Sequence, residues 1–307
     1  MTLARTPYDG SSIPFTIGLR PLDPGEWIEP DDLLAEHLDQ KEALFANAFD
    51  AVFAAQPDTL ASQGEVLALL AGHLTERYPD LYRRRGEAIE IVPAGRGVAF
   101  DAEPAAPLVT ASRLVQEDMV LMRRGESGWR LAAAALCFPS SWSLAEKFGR
   151  PLDEIHAPVP GFAAGTRPAA LIARIFDNLQ VEQPVERLNW SLQEDDRLHH
   201  PRSKGQRDAA IRPEHGGLLG NDPLAGTFIR VERQTLRRLP HSGDILFTIR
   251  IHLDPLRRLA AHPDAARLSA SLATQLEALS EAQIAYKGIA ENREALVRTL
   301  RAMSNPA

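Results

Sequence analysis

Cysteine is almost missing from this sequence. Cys137 is the single cysteine among 307 residues, and one thiol cannot form an internal disulfide, a zinc ribbon or a cysteine-ligated iron–sulfur cluster within the chain. The residue lies in an apolar run from Leu131 to Phe138. That setting favours a small buried hydrophobic residue over a reactive thiol.

An excess of basic charge and a long apolar segment are lacking as well. The net charge is -7 and the arginines are interleaved with acidic residues, so nucleic acid is not an expected partner. No stretch approaches the roughly 18 consecutive apolar residues of a membrane-spanning helix, and the N-terminal MTLARTPYDGSSIPF lacks the apolar core of a signal peptide. We therefore expect a cytoplasmic protein that does not associate with membranes.

Several catalytic motifs are absent too. The sequence contains no G-x-G-x-x-G, G-x-x-x-x-G-K-[ST], H-E-x-x-H or G-x-S-x-G, and therefore predicts no nucleotide-binding loop, zincin site or α/β-hydrolase elbow. His199 and His200, with His215, offer possible metal ligands. Adjacent histidines in a loop rich in Gly, Pro and Arg more often face solvent, and we expect residues 199–220 to form a mobile loop.

The remaining composition is that of a globular protein, with 44% apolar and 24% charged residues. Helical spacing of apolar residues predicts about three helices from Asp31 to Tyr78 and further helices after Pro255. We expect an α+β fold in one compact unit. Its three segments are an N-terminal arm with helices (1–78), an antiparallel β-sheet core (79–254) and closing helices (255–307).

Two β-hairpins are predicted within the sheet. The first pairs residues 113–122 with 129–138, and the second pairs 227–239 with 245–253 across a turn containing Ser242-Gly243. On the last strand, apolar residues alternate onto one face. The opposite face carries polar residues: Thr248, Arg250 and His252.

A short segment before Gly161 constrains one histidine, His156. Ser143 followed by Glu146 predicts a capping box that begins a helix, and Gly149 predicts the end of that helix. Pro158 then restricts the backbone that follows His156. An imidazole held in this way suits an axial bond to a metal or haem, although a single histidine near a helix end is more often a surface or core residue.

The second hairpin is rich in arginine: Arg230, Arg233, Arg237 and Arg250. Guanidinium groups on such a hairpin can bind the carboxylates of an acidic ligand. The alternative is cross-strand pairing with Glu232 on a solvated face, which is the commoner arrangement.

Five sequence blocks follow one another along nearly the whole chain. They are PF, GLRPL and W in 14–27, LVQED in 114–118, SW, KFG and IHAPVP in 141–160, RLNW in 187–190, and RVERQTL, SG and FTIR in 230–250. Together, and in this order, they resemble the haem-dependent oxidative N-demethylase family. The resemblance implies a PAS-like fold in which haem b activates dioxygen to oxidise a methyl group of a small amine such as dimethylamine. Formaldehyde and the demethylated amine would be released.

The resemblance implies roles for individual residues. His156 becomes the expected axial ligand of the haem iron, with Trp142 beside the cofactor and His252 and His215 as the next candidate ligands. The haem propionates would be neutralised by arginines of the second hairpin: Arg230, Arg233 or Arg250. The candidates for contact with the amine are acidic or aromatic: Glu117, Asp118, Glu232, Trp142 and Trp190.

The resemblance also implies a partner. The chain has no recognisable NAD(P)H site or cysteine-ligated iron–sulfur centre, so electrons from NAD(P)H would arrive through a separate reductase carrying flavin, an iron–sulfur centre or both. Two alternatives stay open. PAS-like domains also bind haem or small ligands as sensors without turnover, and a haem-free interaction protein could keep the same scaffold.

Overall fold

A computed structural model describes residues 3–202, 224 and 226–304 of the chain. It has an α+β fold with antiparallel sheets, as the sequence predicts. His215 and most of the predicted mobile loop 199–220 lie outside the described residues. Within those that are described, no helix is both long enough and apolar enough to cross a membrane.

Among the described residues, the helices group as the apolar spacing predicts, with three near the N-terminus and three near the C-terminus. In chain order the α-helices are α1 Leu34–Asn47, α2 Phe49–Val52, α3 Leu60–Arg77, α4 Pro107–Ser112, α5 Leu144–Lys147, α6 Leu152–His156, α7 Arg167–Asn178, α8 Ala265–Glu277, α9 Glu281–Lys287 and α10 Arg293–Ser304. Short 3-10 helices occupy Pro24–Glu26, Pro57–Thr59, Val92–Ala94 and Leu256–Ala261.

Most strands of the described residues belong to one antiparallel sheet. Its strands are β1 Arg20–Pro21, β2 Phe53–Ala55, β6 Asp118–Gly125, β7 Gly128–Ala135, β8 Val185–Gln193, β9 Phe228–Arg238 and β10 Ile245–Pro255. Their spatial order is β1-β8-β9-β10-β6-β7-β2. A smaller antiparallel sheet contains β3 Tyr82–Arg85, β4 Ala88–Ile91 and β5 Arg96–Ala99.

Both predicted hairpins are confirmed as β6–β7 and β9–β10. The first begins later than predicted, because Arg113 caps the end of α4 and Leu114 forms a turn back to Ala111. Apolar residues at 114 and 115 are compatible with either a strand or a buried turn, so local sequence does not fix this boundary. Cys137, just beyond β7, is a buried free thiol, as predicted.

The polar face of β10 is buried rather than solvated, which corrects the expectation of a solvated polar face. Thr248, Arg250 and His252 are at most 6% exposed. The segment that leads into α1 covers them, and its Asp31 carboxylate and Glu29 carbonyl accept hydrogen bonds from the Arg250 guanidinium. Burial of polar groups is tolerated where partners of this kind are supplied.

Two apolar cores hold the helices and the large sheet together. The larger lies between the sheet and the N-terminal helices, and it includes Trp27, Leu70 and Ile251. The smaller packs the closing helices against β8 and β9, with Trp190 and Leu272 among its members. Helices from both ends of the chain therefore cover parts of the sheet. The remaining surface of the sheet is free to line a cavity.

Candidate functional site

A cavity of about 520 Å³ lies against the sheet. Alternate residues of five strands form its floor, namely Val120, Met122, Leu131, Arg187, Asn189, Ser191, Glu232, Gln234, Leu236, Phe247 and Ile249. Residues between 138 and 176 form one wall, and parts of the N-terminal arm and α9 complete it. A volume of this size and largely apolar walls are typical of small-molecule and cofactor sites.

The wall of the cavity contains His156. The capping box of Ser143 and Glu146 is present at the start of α5, and Gly149 ends that helix with a φ of 77°, so α6 follows directly and places His156 at its last residue. The imidazole is half-buried and lines the cavity, and the Phe162 ring lies 6.5 Å from it, centroid to centroid. The predicted local geometry around this histidine is confirmed.

Burial, together with the nearby cations Lys147 and Arg187, lowers the pKa of His156 to about 4. The nearby backbone of Leu152 acts in the opposite direction. The imidazole is therefore neutral at physiological pH. Neutral imidazole is the form that donates a lone pair to a metal.

Three cationic side chains line the same cavity. Burial lowers the pKa of Lys147 to about 8 and likewise lowers the pKa of Arg187. Lys147 Nζ lies 4.4 Å from the centroid of the Trp142 ring. Lys287 Nζ donates to the Trp190 carbonyl at 2.7 Å, and burial lowers its pKa to about 8.

Glu232 is the one carboxylate among the described residues that line the cavity. Its Oε2 accepts hydrogen bonds from Gln234 Nε2 at 2.9 Å and from Asn189 Nδ2 at 3.4 Å. Its negative charge raises the pKa values of Lys147 and Arg187 and so offsets part of the lowering caused by burial. With three cations and one anion, the lining carries an excess of positive charge.

Backbone strain in the described residues concentrates at this cavity. Phe15 and Ser141, with φ angles of 59° and 65°, are the non-glycine residues there that adopt a left-handed conformation, and both line the cavity. Such conformations cost about 1–3 kcal/mol and cluster at functional sites. Phe15 contacts the Tyr286 ring edge to face, with 5.8 Å between centroids.

Three of the sequence-predicted residues come together at the cavity: His156, Trp142 and Trp190. The indole Nε1 of Trp190 donates to Gln275 Oε1 at 3.1 Å, which anchors this tryptophan to α8. Glu232, a fourth sequence-predicted residue, lies in the floor beside Asn189.

Two predicted acidic residues do not line the cavity. Asp118 is completely buried, where its two carboxylate oxygens accept the backbone N–H groups of Cys137 and Phe138 at 2.8 Å each. Burial raises its pKa, and the Lys41 ammonium counteracts that rise. Glu117 is also buried and accepts the backbone N–H of Glu29.

The three predicted propionate partners likewise lie outside the cavity lining. Arg230 donates to the carbonyls of Phe138 and Leu198, Arg233 to Glu186 and the Trp27 carbonyl, and Arg250 to Asp31 and the Glu29 carbonyl. Their guanidinium groups are thus occupied by protein partners. Their suggested roles toward haem, like those of Glu117 and Asp118 toward substrate, stay predictions.

Sequence reasoning missed Lys147, Arg187 and Lys287. Two of them lie within or beside blocks that carried the family resemblance, Lys147 in KFG and Arg187 in RLNW. The alternation of β8 could have indicated Arg187, because residues 187, 189 and 191 share one face of the strand.

The cavity offers one histidine rather than a cluster of metal ligands. Among the described residues, no three His, Cys, Asp or Glu side chains are grouped closely enough to hold a metal ion. A haem takes four ligands from its own porphyrin and needs one axial ligand from the protein, for which histidine is a common choice. The single neutral imidazole, the apolar walls and the surplus of positive charge therefore fit a haem, whose two propionates are negatively charged.

Comparison with known families gives a match over residues 18–297. The matching family is described as haem-dependent oxidative N-demethylase, alpha subunit-like. The match includes every residue of the cavity except Phe15 and Ile17.

Proposed function

The chain belongs to the family of haem-dependent oxidative N-demethylases, alpha subunit-like, and on that premise we propose that it binds haem b in the cavity beside His156 and oxidatively N-demethylates a small methylated amine of the dimethylamine type. The observation that carries this proposal is the placement of His156. A half-buried imidazole with a pKa near 4 lines a mainly apolar cavity of suitable size. We also propose that the sheet and its covering helices correspond to the PAS-like core implied by the sequence blocks.

In this proposal His156 would bind the haem iron. The prolines at 158 and 160 and the capped helix α5 limit movement of the segment. A pre-positioned ligand of this kind lowers the entropic cost of binding the cofactor.

Haem, when bound, would supply the activation of dioxygen needed to oxidise the methyl group. The chain itself would exclude water and orient the amine. Phe138, Phe247 and Ile249 give the cavity apolar walls. Trp142 and Trp190 offer aromatic surface to the cofactor or to a methylated amine.

Glu232 is the candidate for recognition of the amine nitrogen. Its carboxylate is fixed by Gln234 and Asn189 and can accept a hydrogen bond from a substrate N–H. Because it is the one acidic side chain in the described lining, we assign this role to it rather than to Glu117 or Asp118.

Electrons would come from NAD(P)H through a separate reductase with a flavin, an iron–sulfur centre or both. The family description as an alpha subunit supports the existence of partner components. The single cysteine of this chain leaves cysteine-ligated iron–sulfur chemistry to such a partner.

The proposal is tested by measuring bound haem and formaldehyde together. The parent protein, supplied with haem, a chemical or enzymatic reductant, dioxygen and dimethylamine, is expected to release formaldehyde and methylamine in equal amounts. Glu232→Gln should keep its haem and lose most of this activity. His241→Ala, which changes an exposed histidine in the β9–β10 turn, is the control and should behave like the parent.

A protein that binds haem but yields no formaldehyde from any of a panel of methylated amines would contradict the enzymatic part. A parent that stays colourless after reconstitution with haem would contradict the whole proposal.

A further inference from the structure

We propose that Lys147 and Arg187 form a carboxylate-binding pair within the cavity. The carboxylate would come either from the propionates of the cofactor or from a methylated amino-acid substrate. The inference rests on the proposed function, because both sources belong to the haem-dependent reaction. It assigns a task to two side chains that the reaction as described above does not use.

The first observation is that neither cation has an anionic partner. Among the described residues, no carboxylate lies within ion-pair distance of Lys147 or Arg187, and neither side chain donates a hydrogen bond to a protein acceptor. The Nε of Arg187 is buried and lacks any acceptor. A buried donor without an acceptor is uncommon and costly, so it points to a ligand that completes it.

The neighbouring strands provide the contrast. Arg230 on β9 and Arg250 on β10 are buried more deeply than Arg187, yet both donate to protein carbonyls. Arg233 is paired with the Glu186 carboxylate at 2.7 Å. The fold thus supplies polar partners for these three buried arginines, and Arg237 on β9 stacks on the Trp27 ring with 4.6 Å to its centroid, whereas Arg187 has no such partner where it meets the cavity.

The second observation is that the pair shares one region of the cavity with His156. Lys147, Arg187 and His156 all line the same cavity. The Glu232 carboxylate acts on both cations but lies beyond ion-pair distance. Lys147 is further held above the Trp142 ring, so its ammonium group is directed rather than free to swing away.

Charge counting gives the same result. The lining holds three cations and one carboxylate among the described residues, an excess of two positive charges. Two carboxylates would balance that excess. Carboxylates bind arginine and lysine through charge-assisted hydrogen bonds, which are about twice as strong as neutral ones.

The first arm of the test compares haem with its dimethyl ester, which keeps the ring and loses both charges. Binding is followed by the Soret band during titration of the full-length protein. If the pair holds the propionates, the parent binds haem about tenfold to a hundredfold more tightly than the ester. The ratio of the two affinities should fall toward one in Lys147→Met and in Arg187→Met. It should persist in Arg187→Lys, which keeps the positive charge. Arg174→Met, an exposed arginine on α7, removes the same charge outside the cavity and is the control.

The second arm compares N-methylglycine with dimethylamine by calorimetry, on the protein with and without haem. If the pair holds a substrate carboxylate, haem and its ester bind equally, N-methylglycine binds at least tenfold more tightly than dimethylamine, and this preference is lost in the two methionine variants. The comparison within the parent needs no substitution, so it stands even where a variant fails to fold.

Equal binding of haem and ester, together with no preference for N-methylglycine, would overturn the carboxylate pair while leaving the haem assignment intact. Failure of the parent to bind either haem or ester would overturn the proposed function. In that case, absence of a preference for N-methylglycine in the haem-free protein would overturn the pair as well.

Discussion

Lys41 Nζ lies 4.0 Å from the Asp118 carboxylate, and both side chains are fully buried. The ammonium group also donates to the Val115 carbonyl at 3.0 Å, while the carboxylate accepts the backbone N–H groups of Cys137 and Phe138. This pair joins α1 to the start of β6 and to the chain segment after β7. Since Phe138 lines the cavity, the pair supports the cavity wall from behind.

Asp118→Ala should therefore reduce stability sharply. It would leave the buried Lys41 ammonium without its counter-charge and two backbone amides without an acceptor, and breaking a buried pair in this way costs about 3–5 kcal/mol. Urea unfolding measures the loss. The matched control is Asp39→Ala, which removes an exposed ion pair with Arg96 and should cost less than about 1 kcal/mol. Similar losses in both variants would contradict the structural role of Asp118.

Glu29 predicts an acid-sensitive contribution to stability. Burial alone would raise its pKa, but His252, whose Nε2 lies 3.4 Å from Glu29 Oε2, and Arg5 hold the pKa at about 2, below the ordinary 4.5. A carboxylate with a lowered pKa stabilises the fold above about pH 4.5, and that contribution is lost as the pH falls toward 2. One pKa unit corresponds to about 1.4 kcal/mol, so the contribution of Glu29 to the free energy of unfolding is at most about 3 kcal/mol.

The measurement is the free energy of unfolding of the parent and of Glu29→Gln between pH 7 and pH 2. The difference between the two proteins should be constant above about pH 5 and shrink below it. A difference that stays constant down to pH 2 would show that Glu29 is not the titrating group.

Two glycines should respond to alanine in opposite directions. Gly149 has a φ of 77°, and no atom lies within 4 Å of an added Cβ, so Gly149→Ala acts through backbone strain alone and should cost about 1–2 kcal/mol. Gly72 is exposed within α3, and its Cβ would also meet open space. Gly72→Ala should therefore stabilise the protein by about 0.5–1 kcal/mol.

Thermal unfolding of Gly149→Ala and Gly72→Ala tests these two expectations. Because Gly149 ends α5 two residues before Pro151, which caps the helix of His156, Gly149→Ala should also weaken haem binding, whereas Gly72→Ala should leave it unchanged. Equal haem affinity in both variants would show that the turn at Gly149 does not influence the cofactor site.

Local sequence patterns predicted the elements that depend on near neighbours. The two hairpins and the capping box of Ser143 and Glu146 rest on alternation, turn residues and a spacing of three, and each of them forms. The placement of His156 and Trp142 at the cavity follows from that local order together with the family blocks.

Contacts between distant residues were not predictable in the same way. Arg250 was expected on a solvated face or at a propionate, but Glu29 and Asp31, more than 200 residues away in sequence, satisfy its guanidinium. Conversely, the alternation of β8 assigns Arg187 to one face of its strand but does not show that this face meets a cavity. Its importance depends on the folded structure, in which the described neighbours provide no partner for its guanidinium group.

The claim that His156 is the axial ligand is tested most directly by visible spectroscopy of His156→Gly with and without added imidazole. We predict that the variant loses or shifts the Soret band of the reconstituted parent, and that free imidazole, entering the space left by the side chain, restores it. His241→Gly should keep the parent spectrum throughout. A Soret band in His156→Gly that matches the parent without imidazole would contradict the assignment and move the ligand to another residue.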